Sequence, residues 1–165
     1  MPRTRDAASN ALYVINGEDS KAFSGKLWTV NHYVASLTAL SASNVTITQT
    51  ASNVAYAKIS VLSTQLAAVS LFEGTTVSNA GTAITSYNRN RSVAGSASST
   101  VHHTPTISTD GTAVLPSFLL SSFMTQHVEV VGSWLLKADT KYTVRVTNNG
   151  GSAAQVGIFI EWYES

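Results

Sequence analysis

Four histidines are the side chains of this sequence best suited to bind a metal ion or to move a proton near neutral pH. His102 and His103 are adjacent, so on a strand they would point to opposite faces of a sheet. His32 and His127 lie far away, and no His-x-His or His-x-x-x-His spacing places two imidazoles on one face. A site of His102, His103 and Asp110 is conceivable, but the spacing favours a polar loop edge. The sequence therefore predicts no metal and no cofactor.

Residues for covalent or acid–base catalysis form no recognisable pattern. Cysteine is absent, which removes thiolate nucleophiles, disulfides and cysteine-based zinc sites. The chain has neither a Gly-x-Ser-x-Gly elbow nor a Ser-x-x-Lys motif. Glu161 with Glu164, or Asp110 with Glu129, could serve glycoside hydrolysis. Residues 161 and 164, however, would lie on opposite faces of a strand. Because no constellation of convergent polar groups is visible, we expect that the protein is not an enzyme.

Aromatic side chains alternate between the two faces of the last predicted strand. Trp162 shares a face with Ile158 and Ile160, which is typical of a core. Phe159 and Tyr163 share the other face, which water would cover in a monomer. Two aromatic side chains on that face predict a contact with another subunit.

The segment Tyr87–Arg91 places two guanidinium groups between amide side chains. Arg89 and Arg91 supply many hydrogen-bond donors in a fixed fork geometry. Two interpretations stay open at this point. The segment contacts an acceptor-rich protein surface, or it is the solvated end of a loop.

The elements that must position these residues are predicted to be β-strands. Alternating runs rich in Val, Ile, Thr and aromatic residues indicate strands with one buried face. Such runs cover residues 28–35, 45–50, 140–147 and 153–164, with further candidates at 58–62, 65–73, 83–89, 114–120 and 129–136.

Two local features guide the topology. Residues 61–72 contain Leu and Ala in numbers that a helix would accept, but Gly74 follows and no capping pattern precedes, so we favour buried strands. The turn Asn148–Ser152 predicts a hairpin between residues 140–147 and 153–164. About eight strands without a long helix predict an all-β, antiparallel β-sandwich of jelly-roll type.

Charge is scarce and unevenly distributed. Charged residues make up 12% of the chain and the net charge is +1, which excludes an electrostatic nucleic-acid binder, while 44% hydrophobic residues exclude a disordered chain. No apolar run is long enough to cross a membrane. Charges gather before residue 27, and between Lys26 and Glu73 the only one is Lys58. We therefore divide the chain into an extended N-terminal arm, residues 1–25, and one sandwich domain, residues 26–165.

Several segments, in order, resemble a family of tailed-bacteriophage virion proteins that decorate or cement the capsid. The resemblance covers roughly residues 71–164. Here Ser117–Val131 stands where the family often carries a Gly-rich insertion. The segments that carry the resemblance are Leu71–Thr82, Tyr87–Arg91, Val101–Thr112, Trp134–Asn149 and Glu161–Glu164.

The resemblance implies a structural protein on the outer surface of the phage head, made in the cytoplasm of the host bacterium. Its partners would be the major capsid protein and other copies of itself, as a homotrimer or a homodimer. Arg3, Arg5, Arg89 and Arg91 are then expected to contact the capsid, while Phe159 and Tyr163 are expected to face another subunit. The alternative is a receptor-binding or glycan-binding module of a fibre or head spike, with Tyr87, His102 and His103 toward the glycan.

Overall fold

The computed structural model describes residues 3–5, 12–14, 20, 22–50, 54–120 and 129–164. Side chains are described from residue 20 onward within these ranges, except at residues 129 and 130. The described residues form antiparallel strands in four sheets. In chain order they are β1 (Arg3–Arg5), β2 (Leu12–Val14), β3 (Leu27–Leu37), β4 (Ala42–Thr48), β5 (Ala55–Ser63), β6 (Ala67–Glu73), β7 (Thr76–Asn79), β8 (Thr82–Ile84), β9 (Tyr87–Asn88), β10 (Thr100–His103), β11 (Thr106–Thr109), β12 (Thr112–Leu120), β13 (Glu129–Leu136), β14 (Lys141–Asn148) and β15 (Ala154–Glu164).

Two large sheets make up the body of the protein. The five-stranded sheet has the order β13-β5-β15-β3-β9, and the six-stranded sheet has the order β12-β6-β14-β4-β10-β8. The inward side chains of both sheets form one continuous hydrophobic core, in which Trp162 and Tyr142 are the largest fully buried residues. Each buried Val, Leu or Ile contributes about 1.5–3 kcal/mol relative to exposure. The predicted all-β antiparallel sandwich is confirmed.

Consecutive long strands alternate between the two sheets. β3, β5, β13 and β15 belong to the five-stranded sheet, whereas β4, β6, β12 and β14 belong to the six-stranded sheet. Only the step from β6 to β12 stays within one sheet, where these two strands are neighbours. Most loops therefore cross from one layer of the sandwich to the other.

This alternation corrects the predicted hairpin at Asn148–Ser152. β14 and β15 lie in different sheets, so the turn is an arch between layers. The buried Asn148 side chain fixes the arch, because its Nδ2 donates to the carbonyls of Leu37 and Ser152 while its Oδ1 accepts from the Gly150 amide. An Asn-Gly sequence signals a tight turn, but it does not say whether the flanking strands pair.

Of two further strand predictions, one is confirmed and one is wrong. Residues 61–72 are strand, as favoured, with β5 ending at Ser63 and β6 beginning at Ala67. The single strand predicted at 83–89 is wrong, since β8 joins the six-stranded sheet and β9 joins the five-stranded sheet. Thr85 and Ser86 carry the chain across between the layers.

A ribbon of β7 and β11 connects opposite edges of the six-stranded sheet. β6 and β12 lie at one edge, β8 and β10 lie at the other, and β7 pairs with β11 between them. Gly81 and Gly111 take positive φ angles of 83° at equivalent turns. The two halves repeat one sequence pattern, in which Thr76, Ser78, Gly81, Thr82 and Ala83 recur as Thr106, Ser108, Gly111, Thr112 and Ala113.

The proposed N-terminal arm is described only in parts. β1 and β2 pair antiparallel with each other, with Arg3 opposite Val14. Nearer the body, the Asn88 and Asn90 side chains donate to the carbonyls of Gly25 and Phe23. The remainder of residues 1–19 lies outside the described residues, so the arm stays a prediction.

Candidate interaction surface

The outer face of the five-stranded sheet carries an unusual number of aromatic side chains, and we call it the tyrosine face. Strand register places its members on one side of the sheet, opposite the core residues Trp162, Ile160 and Ile158. Among them, Leu135 is 70% exposed, Tyr87 55%, Tyr33 53% and Tyr56 51%. The tyrosine face consists of Tyr33, Tyr56, Lys58, Tyr87, Leu135, Phe159, Glu161 and Tyr163.

Direct cross-strand pairing makes this patch continuous. Leu135 lies opposite Tyr56, which in turn lies opposite Tyr163, so three large side chains form one row across β13, β5 and β15. Phe159 lies farther along β15, and a Cβ added to Gly157 would come within 3.0 Å of its ring. The missing side chain at residue 157 therefore leaves room for the Phe159 ring beside the strand.

The predicted arginine segment meets the same face. Arg89 Nη1 donates to Glu161 Oε1 at 2.8 Å, and both side chains are largely accessible to water. The Arg91 guanidinium lies over the Tyr87 ring, 5.6 Å from its centre. The structure thus brings together Arg89, Arg91, Phe159 and Tyr163 on one surface. The side chains of Arg3 and Arg5 lie outside the described residues.

The outer face of the six-stranded sheet is different, because several of its polar and charged groups pair with one another. The Arg145 guanidinium makes a two-pronged ion pair with Asp110, donates from Nε to Asn44 Oδ1, and lies over the Phe72 ring. The hydrogen bonds from Arg145 hold the pKa of Asp110 below its usual value, although burial opposes this shift. Thr143 is buried on this face as well.

A second polar cluster closes one end of the six-stranded sheet. Glu73 accepts from Lys137 Nζ at 2.6 Å and from the Tyr142 hydroxyl at 2.8 Å, and these hydrogen bonds lower its pKa. Burial, together with the neighbouring Glu73 carboxylate, raises the pKa of Tyr142 to about 12. Glu73, Lys137 and Tyr142 therefore satisfy one another at this end of the sheet.

A stacked pair of histidines lies between the two sheets. His32 of β3 and His103 of β10 stack with ring centres 4.5 Å apart and planes inclined by 20°. Burial, and secondly the neighbouring His103, lower the pKa of His32, so the neutral form is favoured. In the sequence these two histidines are only distant residues, because nothing in one sequence indicates that β3 and β10 face each other.

Two open pockets adjoin the histidine pair and share it as a common wall. One, of about 430 Å³, is also lined by Asn31, Ile84 and Tyr87. The other, of about 590 Å³, lies between β3 and the segment from His103 to Pro105. His103 and Tyr87, which sequence analysis singled out for a possible glycan, therefore line one groove.

The conceivable metal site is not assembled. Asp110 is held by Arg145, away from the stacked histidines, and His102 points to the opposite face of β10 from His103. Within the part of the chain that the structure describes, no group of three or more His, Asp or Glu side chains could hold a metal ion. His127 and the Glu129 side chain lie outside that part.

Glu164 is a buried carboxylate whose role sequence analysis missed. Only 7% of the residue is exposed. Its Oε1 accepts from the Ser99 amide, the Ser99 hydroxyl and Trp162 Nε1, and its Oε2 accepts from the Ser98 amide. Burial raises the pKa of Glu164, but these four hydrogen bonds outweigh it and hold the pKa below its usual value. The carboxylate thus fixes Ser98 and Ser99, which directly precede β10.

The other carboxylate of the proposed pair has a different environment. Glu161 lies on the tyrosine face beside Arg89, whereas Glu164 lies in the interior, as their opposite strand faces predict. A glycosidase needs both carboxylates on one substrate. This pair cannot act in that way.

Comparison of the chain with family models, with curated proteins and with solved structures finds no match. Among the described residues, no helix has the length and apolar character to cross a membrane.

Proposed function

We propose that the protein is a capsid decoration or cement protein that binds the outer surface of a phage head through its tyrosine face. The observation that carries the proposal is the contrast between the two outer faces of the sandwich. The tyrosine face exposes large aromatic side chains beside Arg89 and Arg91. Exposed aromatic and arginine side chains are the residue types that dominate protein interfaces.

The outer face of the six-stranded sheet is the less suitable binding surface, which also supports this assignment. There the Arg145 charge is neutralised by Asp110, and at one end of the same sheet the Lys137 charge is neutralised by Glu73. Ion pairs that are already made offer little to a partner. In this proposal Arg89 and Arg91 contact the capsid protein, together with Arg3 and Arg5 of the arm. Phe159 and Tyr163, which the sequence led us to expect against another subunit, lie on the same face and contact the capsid protein as well.

We also infer that the sandwich is of jelly-roll type. Support comes from the alternation of β3, β4, β5 and β6, and then of β12 to β15, between the two layers. Strand orders β3-β15-β5-β13 and β4-β14-β6-β12 are those expected when a long hairpin folds over on itself. The inference adds an architecture common among capsid proteins and does not by itself assign a function.

Binding to heads that lack the protein tests the proposal. We expect Arg89→Ala/Arg91→Ala to bind such heads about tenfold or more weakly than the unaltered protein, because charged donors at an interface carry much of its affinity. Stability should change by less than about 1 kcal/mol, since the Arg89–Glu161 ion pair is exposed. The measurement is cosedimentation of purified protein with heads.

Two further variants sharpen the result. Lys141→Ala removes a cation from the six-stranded sheet and should bind like the unaltered protein. A chain lacking residues 2–20 should keep a cooperative unfolding transition yet bind more weakly, because Arg3 and Arg5 of the arm contact the capsid protein in this proposal. Failure of the unaltered protein to bind heads would overturn the proposal, and so would virions that carry only a few copies at the tail.

A second function, glycan binding, is favoured by the groove beside the stacked histidines. Tyr87 offers an exposed ring, and Asn31 and His103 offer polar atoms in the same pocket. Sugar sites commonly combine a concave surface, a flat ring and a few polar groups. This arrangement is the specific reason to keep the alternative.

Sugar titration followed by NMR tests this alternative. Millimolar glucose, galactose or N-acetylglucosamine should shift the imidazole signals of His32 and His103 if the groove binds sugars. Tyr87→Ala should abolish the shifts, whereas Tyr56→Ala, at the other end of the tyrosine face, should leave them unchanged. Imidazole signals that stay constant with every sugar would contradict glycan binding at this site.

A further inference from the structure

Among the described strands, the side of β3 that faces away from β15 has a partner only at its beginning. β9 pairs with β3 at Trp28 and Thr29, and beyond Thr29 no described strand adds to this side. The exposed residues Asn31, Tyr33 and Ala35 follow. The unpaired main-chain groups of such an edge are a template for another strand.

Two main-chain hydrogen bonds define which residues present these groups. The Leu27 carbonyl accepts from the Arg89 amide at 2.9 Å, toward β9, whereas the Lys26 carbonyl accepts from the Glu164 amide at 3.1 Å, toward β15. Successive residues of an antiparallel strand direct their main-chain groups to opposite sides. Asn31 and Tyr33 therefore each direct an N–H and a C=O group to the open edge.

No charged residue and no proline protects this edge against pairing, although a β-bulge follows Val34. Residues 30–37 contain no Lys, Arg, Asp, Glu or Pro, although edge strands are commonly guarded by such residues. About a two-fold axis at Tyr33, residue 33 would lie opposite its own copy and Asn31 opposite the partner's Ala35, and a charge at residue 33 would meet a like charge. These residues are neutral, and the N–H and C=O groups of Tyr33 can exchange hydrogen bonds with those of a second Tyr33. The edge is therefore complementary to itself, which favours a second copy of the chain as the incoming strand.

We propose that two copies of the protein pair antiparallel through the open edge of β3, about a two-fold axis near Tyr33. The pairing would join the two five-stranded sheets into one continuous sheet. β9 limits it at Thr29 and the β-bulge after Val34 limits it at the other end, so it spans residues 31–35. Tyr33 of one copy then lies beside the partner's Tyr33, on the tyrosine face.

The dimer does not depend on capsid binding, and it has a consequence for the groove. β3 lines both pockets that adjoin the histidine pair. A strand added to its edge would lie over the mouth of these pockets. Dimerisation and glycan binding at this site therefore exclude each other.

Sedimentation equilibrium of the purified full chain tests the dimer. Asn31→Pro removes one N–H group from the open edge and leaves the hydrogen bonds to β15, which even-numbered residues make, in place. Tyr33→Lys keeps the main chain intact but sets two like charges across the axis. We expect a dimer at micromolar concentration and a dissociation constant raised by about tenfold or more in each variant.

Leu135→Lys is the matched control. It adds the same charge at an exposed apolar residue of β13, the opposite edge strand of the same sheet, and should dimerise like the unaltered protein. Tyr33→Lys decides the matter if Asn31→Pro fails to fold. A monomer or a trimer overturns the proposal, and so does a dimer that neither variant weakens. If the unaltered chain is a monomer and Asn31→Pro loses head binding, the edge pairs with a strand of the capsid protein instead.

Discussion

Glu164→Gln is expected to lower the free energy of unfolding by about 3 kcal/mol, because a charged acceptor with four buried donors is replaced by an amide. The amide nitrogen would meet another donor at the Ser98 amide or at Ser99 and Trp162. The midpoint of thermal unfolding should fall by roughly 6–12 °C for a chain of this size. Calorimetry at neutral pH measures both quantities.

The pH dependence follows from the lowered pKa of Glu164. A carboxyl group whose pKa is lower in the folded state stabilises the fold at pH values above its unfolded pKa, about 4.3, and loses this effect as pH falls through the folded pKa. The stability difference between the unaltered protein and Glu164→Gln should therefore shrink in acid. A difference that stays constant down to the acid transition would contradict this account.

Glu161→Gln is the natural control for this change. It makes the same carboxyl-to-amide replacement three residues earlier, on the exposed face beside Arg89. Breaking an exposed ion pair costs less than about 1 kcal/mol. The two variants therefore separate the effect of a buried acceptor from the effect of charge alone.

Gly111→Ala is expected to destabilise the protein by about 2–4 kcal/mol. Gly111 has a φ of 83°, and a Cβ at this position would lie 2.2 Å from the Glu73 carbonyl oxygen. Main-chain atoms cannot move aside as a flexible side chain can, so the turn would have to shift. Because Asp110 precedes this glycine, its ion pair with Arg145 should weaken as well. Denaturant unfolding measures the loss.

Gly74→Ala isolates the backbone part of this effect. Gly74 also has a positive φ, 76°, but an added Cβ would have nothing within 4 Å. It should cost only about 1 kcal/mol, the price of a left-handed conformation for a residue with a side chain. Gly81→Ala should resemble Gly111→Ala, since its Cβ would lie 2.2 Å from the His103 carbonyl oxygen. Equal losses at residues 74 and 111 would show that the clash is relieved at little cost.

The sequence predicts the fold class well because alternation is a local signal. Val156, Ile158, Ile160 and Trp162 occupy alternate positions of β15, and all four are buried on one face of the strand. The same alternation predicts that Phe159 and Tyr163 share the outer face. No such local signal shows which distant strands pair. For this reason the turn at residues 148–152 looks like a hairpin in the sequence, although it is an arch between the two sheets.

Other features of the surface and the interior depend on contacts between strands that are distant in the sequence, and local patterns do not predict such contacts. Tyr56 joins the tyrosine face only because β5 lies between β13 and β15. His32 meets His103 because β3 and β10 lie in opposite layers. In the alternating pattern of β15, Glu164 falls on the same buried face as Trp162. This position in the pattern is the one sign in the sequence that its carboxylate is buried. The pattern repeated at 76–83 and 106–113 was missed, although it is visible in the sequence alone.

The pairing of Leu27 with Tyr163 has a practical consequence for anyone attaching cargo to this protein. The first and last strands of the sandwich are neighbours, and the body therefore begins and ends at the same corner. That corner adjoins Arg89, whose amide bonds to the Leu27 carbonyl. A fluorescent tag or peptide fused after Glu164 would lie over the tyrosine face, the surface proposed to bind the capsid. Display of a payload is better served by the arch near Gly151, at the opposite end of β15 from Glu164, where an added Cβ would have nothing within 4 Å.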